Sequence, residues 1–117
     1  MNSWPHFDNE DIKKASEILK SGKINYWTGL EGREFEKEFS HYVGVKHSVA
    51  VDNGTNALIL AAHALRISRG DEVIMSPRTF VASAFSIMHL GAKPVFIDID
   101  RNSQNMDSNL IEAAITP

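Results

Sequence analysis

Asn53-Gly54-Thr55 is the first place in this sequence where residue types and order suggest chemistry. The apolar run Val49-Ala50-Val51 leads into it, and Asn56-Ala57-Leu58 follows. A strand that turns into a helix here aims the helix's first unpartnered N–H groups at one spot. The helix dipole adds partial positive charge there. Such a spot suits a phosphate: Gly54 lets the backbone come close, and Thr55 adds a hydroxyl donor. The same residues also fit an ordinary β-α turn with Thr55 as its cap. A second segment, Ser76-Pro77-Arg78-Thr79-Phe80-Val81-Ala82-Ser83, puts Phe80 at the start of the helix after the next strand. Ligands of open parallel sheets sit beyond the carboxyl ends of the strands. A flat ring beside a phosphate socket suits a flat phosphorylated cofactor; the alternative is a core phenylalanine.

Other residues say less. Asp98 and Asp100 close a third strand on the same sheet edge, where turn and capping roles are the simpler account. Arg78 is a lone cation near the candidate site, fit for a carboxylate, a phosphate or solvent. The loop Asn25-Tyr26-Trp27-Thr28-Gly29 is both aromatic and polar, so it reads as a recognition loop or as a cover over the core. His6, His41, His47, His63 and His89 have no ligand spacing, so no metal site is expected. Ser76, Ser83 and Ser86 lack a nucleophile-elbow setting.

The elements that must hold these residues follow from the periodicity. Asp8 to Leu19 predicts a helix with Asp8 as cap, Asp11 three residues on and Ser21-Gly22 as the stop. A second helix is expected over about 32–43, with Phe35, Phe39, Tyr42 and Val43 as its apolar stripe and Gly44 as its end. His47 to Val51 reads as a strand and Thr55 to Leu65 as a helix buried on more than one side. Glu72 to Met75 reads as a strand, Thr79 to Leu90 as a helix, Pro94 to Ile99 as a strand and Asp107 to Ala114 as a final helix. Alternating strands and helices of this kind predict parallel β-α-β crossovers, with helices on both faces of the sheet.

Bulk properties set outer limits. The chain has 117 residues, 43% hydrophobic and 23% charged, with a net charge of -3, which is the range of one ordinary soluble globular domain. No basic block suggests nucleic acid, and no apolar stretch approaches a membrane span. With no cysteine there is no disulfide, thiolate ligand or thiol nucleophile. A cytoplasmic protein is expected, without nucleic-acid or membrane partners.

Taken together and in order, the motifs resemble the N-terminal part of the pyridoxal-phosphate-dependent sugar aminotransferases of the DegT/DnrJ/EryC1/StrS family. The matching pieces are Trp27-Thr28-Gly29, Phe35-Glu36-Lys37-Glu38-Phe39, Asn53-Gly54-Thr55-Asn56-Ala57-Leu58 and Gly70-Asp71-Glu72-Val73-Ile74. Pro77-Arg78-Thr79-Phe80-Val81-Ala82-Ser83 and Gly91-Ala92-Lys93-Pro94-Val95-Phe96-Ile97-Asp98 complete the set. The resemblance implies an incomplete fold-type-I PLP-transferase large domain, with parallel β-α-β units preceded by two N-terminal helices. On that pattern, 1–45 carries the N-terminal helices and a substrate-side loop, and 46–117 is the first part of the cofactor-binding domain. It implies pyridoxal 5'-phosphate as cofactor, with Gly54 and Thr55 on its phosphate and Phe80 on its ring. It further implies that Tyr26, Trp27, Thr28 and Gly29 lie near the substrate.

The implied reaction moves an amino group, typically from glutamate, to a nucleotide-linked keto-sugar in surface-polysaccharide synthesis such as that of lipopolysaccharide. The implied assembly is a homodimer. Family members are much longer, and the lysine that forms the Schiff base lies downstream of any residue here. No catalytic residue is therefore assigned, and this chain alone is expected to be inactive, as an N-terminal fragment would be. Two alternatives stay open: a dehydratase of the same family, and a small non-enzymatic phosphate- or nucleotide-binding α/β module.

With few strands and open sheet edges, the 117-residue chain is expected to be marginally stable. A shallow urea transition is the expected result; a steep one would favour the small self-contained module.

Overall fold

A computed structural model describes residues 4–117. The chain divides into two compact units, Met1–Ala50 and Val51–Pro117.

The first unit is helical. Helix α1 spans Asn9–Ser21 and starts at the predicted Asp8 cap, which the structure completes as a capping box: the Asp8 side chain accepts from the Glu10 and Asp11 amides, while Asp11 accepts from the Asp8 amide. Helix α2 spans Glu31–Val43 and carries Phe35 and Phe39 one turn apart, ring centres 5.7 Å from each other. Gly22 and Gly44 end these helices in left-handed conformations, as the sequence indicates.

The predicted strand over 47–51 does not form a ladder. No strand among the described residues lies beside it. The run is tied to Glu36 of α2 instead: the Ala50 amide donates to Glu36 Oε1, and the Ser48 hydroxyl donates to the Glu36 carbonyl. A β-branched run needs a partner before it can be a strand.

The second unit holds the β-α units. Helix α3 spans Gly54–Ala64, β1 Glu72–Met75, helix α4 Ala82–His89 and β2 Lys93–Phe96. The strands pair in parallel with Glu72 opposite Lys93 and Met75 opposite Phe96. Lys93 and Ile97 amides donate to Asp71 and Met75 carbonyls, so the donor position lost at Pro94 belongs to the outer side of β2. Sheet formation stops short of the predicted Ile99; that residue makes a single antiparallel bridge to Met106.

Ala62, Ile87 and Ala92 form the core, with Ile67, Val73, Met75 and Leu90 packed against it. Small residues dominate because α3 and α4 lie against each other. Two burial expectations are corrected. Leu58 and Leu60 stay about half exposed, so α3 is not covered on several sides, and neither strand is buried on both faces. Among the described residues nothing packs against those surfaces.

Helix α4 starts at Ala82 rather than Thr79. Thr79, Phe80 and Val81 are β-branched or aromatic, and the Ser83 amide closes a tight turn on the Phe80 carbonyl before the helix begins. The predicted last helix is two 3₁₀ turns, Ser108–Leu110 and Glu112–Ala114. There the Asp107 side chain accepts from both the Asn109 amide and the Asn109 carboxamide, local bonding that competes with a continuous α-helix.

At the amino end of the sheet, Glu72 accepts from Lys93 Nζ at 2.7 Å and from the Thr116 hydroxyl at 2.6 Å. The Lys93 bond first, then the Thr116 bond, holds the Glu72 carboxyl below its ordinary value of 4.5. A depressed folded-state pKa contributes stability above the unfolded value, and that contribution disappears as pH falls through the folded one. The melting temperature gap between the wild-type chain and Glu72→Gln is therefore expected to be widest near neutral pH and to close below pH 4.5. Thermal melts followed by circular dichroism at a series of pH values check this.

Candidate functional site

Helix α3 begins with Asn53 in extended conformation, and the Asn53 side chain accepts from the Asn56 amide at 2.9 Å. The Asn53 carbonyl takes the Ala57 amide at 3.1 Å. Asn56 in turn donates its carboxamide to Asp52 at 2.8 Å. These bonds use the third and fourth amides of the helix start. Among the described residues nothing accepts from the amides of Gly54 and Thr55.

Gly54 does not have a left-handed backbone, and a Cβ built on it meets nothing within 4 Å. Neither backbone conformation nor packing therefore asks for glycine. What the missing Cβ leaves is open access to two free amides at the positive end of a helix.

Phe80 lies in the connection from β1 to α4. The Arg78 amide donates to Ser76 Oγ, and the Thr79 and Ser83 hydroxyls meet at 3.1 Å. These bonds, with the Ser83–Phe80 turn, fix the segment while the Phe80 ring stays 77% exposed. Among the described residues the Phe80 ring is not part of the buried core. The two candidate segments are neighbours through their helices: Ser86 of α4 donates to the carbonyl of Thr55 at 3.4 Å.

The acids on the strand edge serve their own turn. Asp100 accepts from the Ser103 amide at 2.7 Å and the Asn102 amide at 3.2 Å, and these bonds, Ser103 first, hold its carboxyl below the usual range. Asp98 accepts from the Ile99 amide at 2.8 Å. Among the described residues no three histidine or carboxylate side chains converge as metal ligands would.

In the first unit the aromatic loop is built around Asn25, a residue whose role sequence reasoning missed. Its side-chain oxygen accepts from the Trp27 amide, the Thr28 amide and the Thr28 hydroxyl, all near 3 Å. The Gly29 amide bonds the Asn25 carbonyl at 2.7 Å, and a Cβ on Gly29 would lie 2.5 Å from the Lys23 carbonyl oxygen. Glu36 was missed too: it accepts from the Tyr26 hydroxyl at 3.1 Å while Arg33 lies over the Tyr26 ring. An Asn with Thr three residues on and Gly four on is the signal that predicts such a turn.

The four predicted loop residues therefore divide by role. Tyr26 anchors, Thr28 caps and Gly29 permits the turn, while Trp27 is 83% exposed with its ring edge-on to Tyr26.

The aminotransferase family description "DegT/DnrJ/EryC1/StrS aminotransferase family" matches residues 5–117. The chain belongs to this family. A spore coat polysaccharide biosynthesis protein, SpsC of Bacillus subtilis, is 49% identical over 115 residues, covering 98% of this chain and 29% of that protein. GDP-perosamine synthase of Caulobacter vibrioides is 49% identical over 94 residues, 78% of this chain and 25% of the relative. Among solved structures, an aminotransferase from Psychrobacter cryohalolentis superposes with a TM-score of 0.93 at 44% identity, covering 98% of this chain and 29% of the other. Spr1654 of Streptococcus pneumoniae, solved in PLP, PMP and apo forms, gives 0.89 at 37% identity over 96% of this chain and 28% of its own. The chain thus spans under a third of the length of these relatives. The α/β architecture, two helices ahead of parallel β-α units, is the corresponding portion of the aminotransferase fold.

Loop geometry yields a contrast between neighbouring residues. Gly29→Ala forces the backbone around Lys23 to move, with an expected loss of about 1–3 kcal/mol in urea-unfolding free energy. Trp27→Ala removes an exposed ring and is expected to change it by no more than about 0.5 kcal/mol.

Proposed function

We propose that this chain forms the phosphate- and ring-binding part of a pyridoxal 5'-phosphate-dependent sugar aminotransferase. The observation that carries the reading is the pair of acceptor-free amides at Gly54 and Thr55, open because position 54 lacks a side chain that nothing else excludes. On this reading those amides and the Thr55 hydroxyl hold the cofactor phosphate, and the exposed Phe80 ring covers one face of the pyridine. The cofactor, when bound, supplies the electron sink that lets an amino group move. The residues here seat and orient it; none of the chain's lysines falls in a motif for attaching it, so we infer that the chain alone is inactive.

The substrate reading follows the relatives. One bears a nucleotide-sugar product in its name and another belongs to polysaccharide biosynthesis. We infer a nucleotide-linked keto-sugar as acceptor, glutamate as donor, and Trp27 as the loop side chain free to meet substrate. A cytoplasmic homodimer, serving surface-glycan synthesis, completes the reading. It is in keeping with a cysteine-free, mildly acidic chain in which no described helix is long and apolar enough to cross a membrane.

Equilibrium dialysis of the chain with pyridoxine 5'-phosphate, which lacks the aldehyde and so ignores surface lysines, tests the cradle. Binding stronger than that of pyridoxine is expected, with a loss of about tenfold or more in Gly54→Val, where the side chain shields the amides. Equal retention of the two compounds, or a Gly54→Val variant that binds as wild type, would refute the assignment.

A further inference from the structure

A hollow of about 220 Å³ opens at the carboxyl end of β1, against the turn that follows β2. Its polar wall consists of Ser76, Arg78, Thr79, Ser83, Gln104 and Asn105, and Met75 and Met106 line it too. That wall offers a guanidinium, three hydroxyls and two carboxamides, and no carboxylate lines it. The nearby acids are already engaged: Asp100 by the Asn102 and Ser103 amides, Asp98 by the Ile99 amide. Among the described residues the Arg78 guanidinium makes no ion pair.

The far wall is held in shape. The Asp100 amide bonds the Asn105 carbonyl at 2.8 Å, the Gln104 amide bonds the Asp100 carbonyl at 2.9 Å, and Ile99 bridges Met106. The near wall is held by the Arg78–Ser76 and Thr79–Ser83 bonds.

Size and charge together choose the ligand class. Pockets for whole drug-sized molecules run from about 300 to 1,000 Å³, so this hollow takes one group of a ligand. A donor-rich wall with one unpaired guanidinium selects an anion with oxygen acceptors, which arginine receives in paired hydrogen bonds. We propose that this hollow is an oxyanion site in which Arg78, supported by the Ser76 hydroxyl and by the member of the Thr79–Ser83 pair whose O–H is not spent on the other, receives a single carboxylate or phosphate group. Its wall includes none of Gly54, Thr55 and Phe80, although Ser76, Thr79 and Ser83 also fix the segment that carries Phe80.

Ligand-observed NMR on the 117-residue chain tests this at low ionic strength. The probes are L-glutamate, followed by saturation-transfer difference, and inorganic phosphate, followed by ³¹P line width. Both are titrated against the Gly54→Val chain, so that the α3 amides do not contribute. A saturable response to either probe is expected, weakened about tenfold or more by adding Arg78→Ala and less by Arg78→Lys. A response to glutamate alone assigns the site to carboxylates, and a response to phosphate alone assigns it to phosphates; either supports the proposal. Far-UV circular dichroism checks that the variants keep the fold, with Arg78→Gln replacing any that does not. No saturable response to either probe, or one unchanged by removing Arg78, overturns it.

Discussion

Contact between α3 and α4 is the constraint on which the second unit depends. Ser86 is fully buried there, with its hydroxyl donating to the Ala82 carbonyl at 2.7 Å and reaching the Thr55 carbonyl at 3.4 Å. Only a small side chain fits such a crossing, and a buried hydroxyl is tolerated because its hydrogen bonds are made within the helix pair. Ala62 and Ala82 are also buried, and Ile87 supplies the larger apolar surface. The consequence reaches the site directly. The residue whose carbonyl Ser86 meets is Thr55, which carries one of the two free amides. Core packing and the candidate anion cradle are thus joined at one residue.

The unit achieves this with little burial. Few residues are fully covered, and many large apolar side chains, including Leu58, Leu60, Phe85 and Phe96, are exposed. A chain that spans under a third of its relatives' length and shows this much apolar surface has a core held by close helix contact rather than by enclosure. Local hydrogen bonds do the remaining fixing. The Asp8 capping box, the Asn25 turn and the Asp100 turn each satisfy several backbone amides through one side chain. Such devices make short segments rigid without a large core, which is what a loop presenting Trp27 or a hollow walled by a turn requires.

Sequence and structure agree most closely where the signal is local. The Asp8 cap with its acidic partner, the stops at Gly22 and Gly44 and the strand at Glu72–Met75 all follow from neighbouring residues. The Asn53-Gly54-Thr55 turn is readable as a helix start, but the capping side chain is that of Asn53 and not of Thr55. Agreement fails where a long-range partner is missing, or where a local side-chain bond competes with the helix. The run over 47–51 has strand composition but no ladder beside it, and Asp107–Ala114 has helical spacing but gives its first bonds to side chains.

The sequence by itself determined the four helices and two paired strands in their order, the free helix start at Gly54 and Thr55, and the family, because these reside in residue types at short spacing. Tertiary structure alone decided that Ser86 ties α3 to α4, that Tyr26 leans on Glu36 while Trp27 stands clear, and that Arg78 shares a wall with Gln104 and Asn105. Those pairings join residues distant along the chain. Their geometry is set by how closely helices and turns pack, a property that spacing in one dimension does not carry.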